Sequence, residues 1–218
     1  MNLRVQRLAP NVLGVDTVAK LPPTTCRTLA SRGLAFRGGY IDELSPIEIE
    51  GQLGNQLPLL LYTYANEFDP SHTLDRLSAL GIPAGMNVIL DVEAVIKPEA
   101  LQAMTPGDVE SFVLELKAKI NAWGRGLSNH AFLPCIYFGG LELLTSEEMS
   151  SLAVYRYHEG AASLLDRRGA FAVPARGYAM MQGRPVNVTI DGCGDTRFDY
   201  DFHRQDYHDD VFSVLVAG

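Results

Sequence analysis

Asn87-Val88-Ile89-Leu90-Asp91-Val92-Glu93 reads as a buried strand that finishes on two carboxylates. Side chains two apart in a strand share a face, so Ile89, Asp91 and Glu93 point one way and Val88, Leu90 and Val92 the other. Carboxylates buried without partners are costly, so a strand exit carrying two of them belongs at a cleft. Acid/base chemistry is the first functional expectation.

Outward from that strand, apolar strands and helices alternate along the chain. Upstream, residues 12–17, 35–41 and 58–65 read as strands. Helices are predicted between them: one opened by Pro22-Pro23 and stopped by Gly33, one capped at Ser45-Pro46-Ile47-Glu48, and one over 71–80 ended by Gly81. The fourth strand covers 87–93. Thr105-Pro106-Gly107-Asp108 then opens the longest helix, and 132–138 is the fifth strand. A further helix starts at Thr145-Ser146-Glu147-Glu148. Residues 154–158, 178–182 and 197–202 complete eight strands, with 166–174 too short and irregular for a helix. Eight strands separated by helices in a chain of this size predict an α/β protein, a single (β/α)8 TIM-like barrel that is irregular in its last third. The chain 1–218 is read as one domain with its core at about 11–203.

Composition bounds what surrounds that core. With 218 residues, 47% hydrophobic and 20% charged, the chain has an ordinary globular make-up. No apolar stretch approaches ~20 residues, and Met1 to Leu8 lacks the apolar centre of a signal peptide. Synthesis in the cytoplasm and no membrane partner are expected. A formal charge of −8 argues against nucleic-acid partners. No G-x-G-x-x-G follows the first strand and there is no phosphate loop, so no cofactor is expected. Cys26, Cys135 and Cys193 are odd in number and far apart, implying neither a disulfide framework nor a zinc site. Cys135 reads as a small hydrophobe in a strand and Cys193 as a turn residue. Residues 199–210 are dense in Asp and His, but their spacing matches no EF-hand or H-E-x-x-H helix. They read as a solvated polar loop, and no metal site is expected. The apolar stretch 211–216 packs either under the barrel or against another chain.

The active site of such a barrel lies at the C-terminal ends of its strands. That rule gathers Asp16, Tyr62, Tyr64, Asp91, Glu93, Tyr137, Gln182, Asp199 and Asp201 at one mouth. Aromatic faces stack on sugar rings while carboxylates and amides hydrogen-bond hydroxyls, so the expected ligand is a carbohydrate. Each residue also has a plainer reading. Asp16 would cap a helix or bind backbone amides in the first loop, the tyrosines would be core aromatics, and Gln182 would satisfy a backbone group. Asp91 and Glu93 would be a buried pair held by Arg37 or another basic residue.

Taken in order, Gly14-Val15-Asp16, Leu61-Tyr62-Thr63-Tyr64, Asp91-Val92-Glu93, Ile136-Tyr137, Met181-Gln182 and Phe198-Asp199-Tyr200-Asp201 resemble the glycoside hydrolase family 25 lysozymes. They resemble even more the related bacterial and phage glycoside hydrolase-like domains of unknown function. The resemblance covers about residues 13–202. It implies hydrolysis of a β-1,4 glycosidic bond in peptidoglycan, with Glu93 as general acid. Asp91 and Asp16 would be flanking acids that stabilise cationic charge or orient an acetamido group. Asp199 or Asp201 would hold a sugar by its hydroxyls.

Two departures stand out. The family carries Trp-Gln-Tyr on the seventh strand where this chain has Met180-Met181-Gln182-Gly183, and 156–159 offers no matching aspartate. Weaker sugar stacking, a different glycan or lost catalysis would each follow. Two function classes therefore stand. One is a glycosidase of cell walls or related polysaccharides, phage-encoded or otherwise delivered without a signal peptide. The other is a catalytically silent barrel, a structural or glycan-recognising component with protein partners in a larger assembly such as a phage particle.

Overall fold

Capping chemistry fixes where several helices begin. The computed structural model describes residues 1–9, 11–65, 68–137, 144–154, 156–159, 180–182, 187–203 and 212–218. Its helices are α1 (Pro23–Ser31), α2 (Pro46–Gly54), α3 (Pro70–Ala79), α4 (Pro98–Ala103), α5 (Pro106–Ser128) and α6 (Ser146–Ser150). Ser45 with Glu48, Thr105 with Asp108 and Thr145 with Glu148 form reciprocal capping boxes at α2, α5 and α6. Each such cap is worth about 1 kcal/mol. The readings of these helix starts hold.

The strands are β1 (Leu3–Arg7), β2 (Val12–Asp16), β3 (Arg37–Tyr40), β4 (Leu59–Tyr64), β5 (Asn87–Asp91), β6 (Leu133–Tyr137), β7 (Arg156–Glu159), β8 (Met180–Gln182), β9 (Val188–Thr189), β10 (Arg197–His203) and β11 (Ser213–Ala217). They form one mixed sheet in the order β1-β11-β4-β3-β2-β10-β8-β7-β6-β5, with β9 on β10 and a further pairing of β5 with β4. Pairings from β2 through β8 are parallel. By contrast β10 is antiparallel to both β2 and β8.

This corrects the expected (β/α)8 barrel. The fold is mixed α/β, and the regular closed barrel of eight parallel strands is not what the pairing gives. The reason lies just before β10. Gly192 and Gly194, at φ 84° and 64°, take left-handed conformations in a turn where the Cys193 N–H donates to Ile190 O, so β9 doubles back into β10. A hairpin replaces the helix that a parallel eighth strand would need.

A second correction concerns the fourth strand, which ends at Asp91 instead of Glu93. The Asp91 carboxylate accepts the Glu93 N–H at 2.9 Å, and Glu93–Val95 forms a 3-10 turn. The short aspartate side chain competes with the sheet for that backbone donor. Asp91 and Glu93 are therefore neighbours across a turn, not partners on one strand face. At the chain ends, β1 pairs with β11, and β11 meets β4 at Leu215 and Leu59. The Ser213 N–H bonds the Asn87 side chain, so β11 crosses the N-terminal ends of the strands. Of the apolar end 211–216, residues 212–216 thus pack within the chain, the first of its two readings, and 211 lies outside the described residues.

Strand parity sorts the core. Phe36, Tyr40, Leu60, Tyr62, Ile89, Cys135 and Tyr137 pack together on the concave face, with Phe212 and Val214 beneath. Val88, Leu90, Val92, Leu59, Leu61 and Ile136 face the helices and meet Leu77, Val113, Ile120 and Trp123. Gly38 keeps the concave face open, because a Cβ there would lie 2.5 Å from the Tyr62 ring and 2.8 Å from the Asp16 Cβ. Among the described residues no helix is long and apolar enough to cross a membrane.

Candidate active site

The C-terminal ends of the parallel strands open into a cleft of about 760 Å³. Asp16, Tyr40, Tyr64, Asp91 and Glu93 line it, together with Asn187, Asp195, Arg197 and Asp199. Lys119 of α5 and Phe68 stand at the rim, with the ammonium 5.9 Å over the ring. The antiparallel sense of β10 decides which of its acids reaches this mouth. Asp199 lies opposite Asp16 and Asp201 opposite Gly14, one layer deeper.

Asp91 is held at both oxygens. Tyr40 Oη donates to Oδ2 at 2.7 Å and the Glu93 N–H donates to Oδ1. The Tyr40 ring is itself fixed between Tyr62 and Tyr64, at 5.4 and 4.3 Å between centroids. Glu93 is an exposed residue at the lip of the cleft, yet its carboxyl is partly desolvated there. That desolvation, followed by the charges of Asp91 and Asp199, pushes it up to about 7. At neutral pH Glu93 is thus poised between acid and base, next to a carboxylate locked as an acceptor.

Beneath the cleft a polar layer crosses the sheet. Tyr137 Oη donates to Gln182 Oε1 at 2.9 Å, and Gln182 Nε2 donates to Asp199 at 3.2 Å and Asp16 at 3.5 Å. The Asn187 N–H bonds the other Asp199 oxygen. Asp201 is fully buried, accepts from Tyr62 Oη at 3.4 Å and shares a hydrogen bond with Asp16. Burial pushes Asp201 up to about 7, against the pull of those two hydrogen bonds. Two carboxyl groups can hydrogen-bond only through a shared proton. Asp201 and Asp16 therefore hold one proton between them.

No family model and no curated protein matches the chain. Solved structures do. A bacterial lysozyme from Streptomyces coelicolor aligns with TM-score 0.54 at 10% identity, over 89% of this chain and 93% of its own. A glycosyl hydrolase 25 of Streptococcus pneumoniae, described as a virulence factor participating in host cell invasion, aligns with TM-score 0.55 at 14% identity, over 91% and 88%. The chain has a lysozyme-like fold. An uncharacterised protein of B. stearothermophilus is also similar, with TM-score 0.60 at 14% identity over 92% and 100%.

Within this lysozyme-like fold the residues singled out by the sequence separate into two depths. Asp16, Tyr64, Asp91, Glu93 and Asp199 line the cleft. Tyr62 and Asp201 are buried under it, and Tyr137 and Gln182 belong to the supporting layer. The tyrosines of that layer are both core aromatics and hydrogen-bond donors, and Gln182 donates to the carboxylates of Asp199 and Asp16. Arg37 is not what holds Asp91 and Glu93. Arg37 is buried on the other face of β3, where it donates to Gln52 Oε1 and to the Thr17 and Ala19 carbonyls. It fixes the loop after β2, whose Thr17, Val18 and Ala19 form part of the cleft wall.

Sequence reading missed Tyr40, Phe68, Lys119, Asn187 and Arg197. Tyr40 was within reach: it shares strand parity with Phe36 and Gly38 and ends its strand. The others come from a loop, a helix and the β9–β10 hairpin, which no periodicity assigns to a mouth. Cys135 packs in β6 and Cys193 in the turn, as read, and all three cysteines are buried. Among the described residues no group of acids, histidines and cysteines could hold a metal ion. The polar stretch 199–210 lies only partly within them: 199–203 belongs to β10, and 204–210, like the irregular segment 166–174, falls outside.

Proposed function

We propose that this protein is a glycoside hydrolase that cleaves a glycosidic bond in peptidoglycan or a related cell-surface polysaccharide. The observation that carries this reading is Glu93 held near neutrality at the lip of an open cleft, beside an Asp91 fixed by Tyr40. In the proposed reaction Glu93 gives its proton to the glycosidic oxygen as the bond to the anomeric carbon breaks. Positive charge develops on the sugar ring, with Asp91, Asp199 and Asp16 as the carboxylates around it, and a water molecule then bonds to the anomeric carbon as its proton leaves to a carboxylate. Tyr64 and Phe68 offer apolar ring faces for the sugar, and Asn187 and Arg197 offer polar contacts on the far wall. The lysozyme-like fold of the two hydrolases above supports the choice of substrate class.

Incubating the chain with purified peptidoglycan and counting new reducing ends tests this proposal. New sugar reducing ends in proportion to time and protein are expected. Walls solubilised without new reducing ends would point to an amidase or peptidase. Walls of several chemistries left intact would favour a binding barrel over an enzyme.

A further inference from the structure

Two cysteines that are far apart in sequence come together in the fold. Cys26 lies on the buried face of α1 with Thr25 and Leu29, and Cys193 lies in the turn that sends β9 into β10. Both belong to one small apolar cluster, with Val15, Leu29, Ile190 and Phe198. Cys135 belongs to the separate cluster on the concave face, where the Asn87 amide donates to its sulfur at 3.0 Å. The turn rides directly on α1. A Cβ on Gly192 would stand 3.2 Å from the Thr28 methyl group, and one helical turn further on Arg32 faces Asp191 at 3.9 Å. Burial pushes the Cys26 thiol up, the Arg37 guanidinium partly draws it down, and charge on Cys193 adds to the rise. The two sulfurs are therefore within electrostatic reach of each other.

We propose that Cys26 and Cys193 are a redox pair that closes to a disulfide and staples the β9–β10 hairpin to α1. The pairing needs no part of the glycosidase reading, yet it bears on the same cleft. The hairpin and its flank carry Asn187, Asp195, Arg197 and Asp199 of the cleft lining, and α1 follows the lining loop whose Thr17 and Ala19 carbonyls Arg37 holds. Each sulfur has an arginine that favours its thiolate, Arg37 for Cys26 and Arg32 for Cys193. Cys193 is flanked by the exposed Gly192 and Gly194, both in left-handed conformations, so a small movement of the turn brings it to solvent first. The oxidant is a small disulfide such as oxidised glutathione. The Cys193 thiol gives its proton to water, and its sulfur attacks the small disulfide, forming a mixed disulfide and releasing one glutathione thiolate. The Cys26 thiolate, deprotonated in the same way, then displaces the second glutathione and forms the Cys26–Cys193 bond. Two protein thiols are oxidised and one small disulfide is reduced to two thiols.

Incubating the full chain with oxidised glutathione, then counting thiols after denaturation and mapping bridged peptides by mass, tests this inference. A parallel sample in urea below the unfolding transition opens the turn, so that access to the sulfurs does not decide the result. Of the three cysteines, only Cys135 is expected to remain a thiol, with Cys26 bridged to Cys193. The bridged chain should melt roughly 5–15 °C above the same chain after dithiothreitol, the scale for closing a loop of about 170 residues. That reducible shift should be absent from Cys26→Ser and Cys193→Ser and kept by Cys135→Ser. Where a serine variant fails to fold, the peptide map and the melt of the unaltered chain carry the comparison. Mixed disulfides without a bridge, a bridge through Cys135, or three thiols retained in both samples would overturn the pairing. A bridge that leaves the melting temperature unchanged would overturn the staple.

Discussion

Tyr40 donates a 2.7 Å hydrogen bond to Asp91 while its ring stacks between Tyr62 and Tyr64. One residue thus joins the aromatic wall of the cleft to the carboxylate beside Glu93. Burial, then the charge of Asp91, drives the Tyr40 hydroxyl well above the ordinary tyrosine range, so it remains a donor at every working pH. Tyr40→Phe keeps the stack and removes the donor. Activity should fall about ten- to a hundredfold, the range for a hydrogen bond to a charged group, with only a small change in melting temperature. Steady-state kinetics and a thermal melt of the same preparation check this.

The raised carboxyl of Glu93 sets the basic limb of the pH profile. As a general acid it works only while protonated, so kcat/KM should decline as pH rises through about 7. Asp199 contributes to that elevation. Asp199→Asn removes a like charge and should move the limb to lower pH, besides any loss of sugar contacts. A limb that stays in place would show that another group controls it.

Stability should carry the mark of Asp201. Its folded value of about 7 lies above the ordinary 3.8, so the folded state binds the proton more tightly than the unfolded chain. The stabilisation from this group is complete below about pH 4 and is lost as pH rises through 7. Between pH 5 and 8 the wild type should lose about 2 kcal/mol relative to Asp201→Asn, which cannot titrate. Urea melts at the two pH values measure it, and parallel curves would contradict the shared proton.

Gly38 is predicted to matter for space alone. A methyl group there meets the Tyr62 ring and the Asp16 side chain. Gly38→Ala should cost about 1–3 kcal/mol and lower activity by displacing Asp16. Crystals or thermal melts of the variant decide the first part and kinetics the second.

Much of this arrangement is legible in the sequence because it is local. Prolines and capping boxes mark the starts of α2, α5 and α6, and parity alone puts Asp16, Tyr62, Tyr64, Asp91 and Tyr137 on one face. What escapes is what neighbours decide. A strand's residues do not encode its direction, so β10 reads as an eighth parallel strand until Gly192 and Gly194 are seen to reverse the chain. Nor does alternation reveal that the Asp91 carboxylate captures the Glu93 N–H and ends the strand two residues early. That turn matters to the site, because it moves Glu93 off the strand face and onto the lip of the cleft.

The central claim is that Glu93 is the acid of a peptidoglycan hydrolase. Release of soluble fragments from purified peptidoglycan, by the wild type beside Glu93→Gln at pH 6, tests it most directly. The account predicts steady release by the wild type and a loss of at least about a hundredfold in the variant. Equal release by both, or none by the wild type on walls of several chemistries, would contradict it.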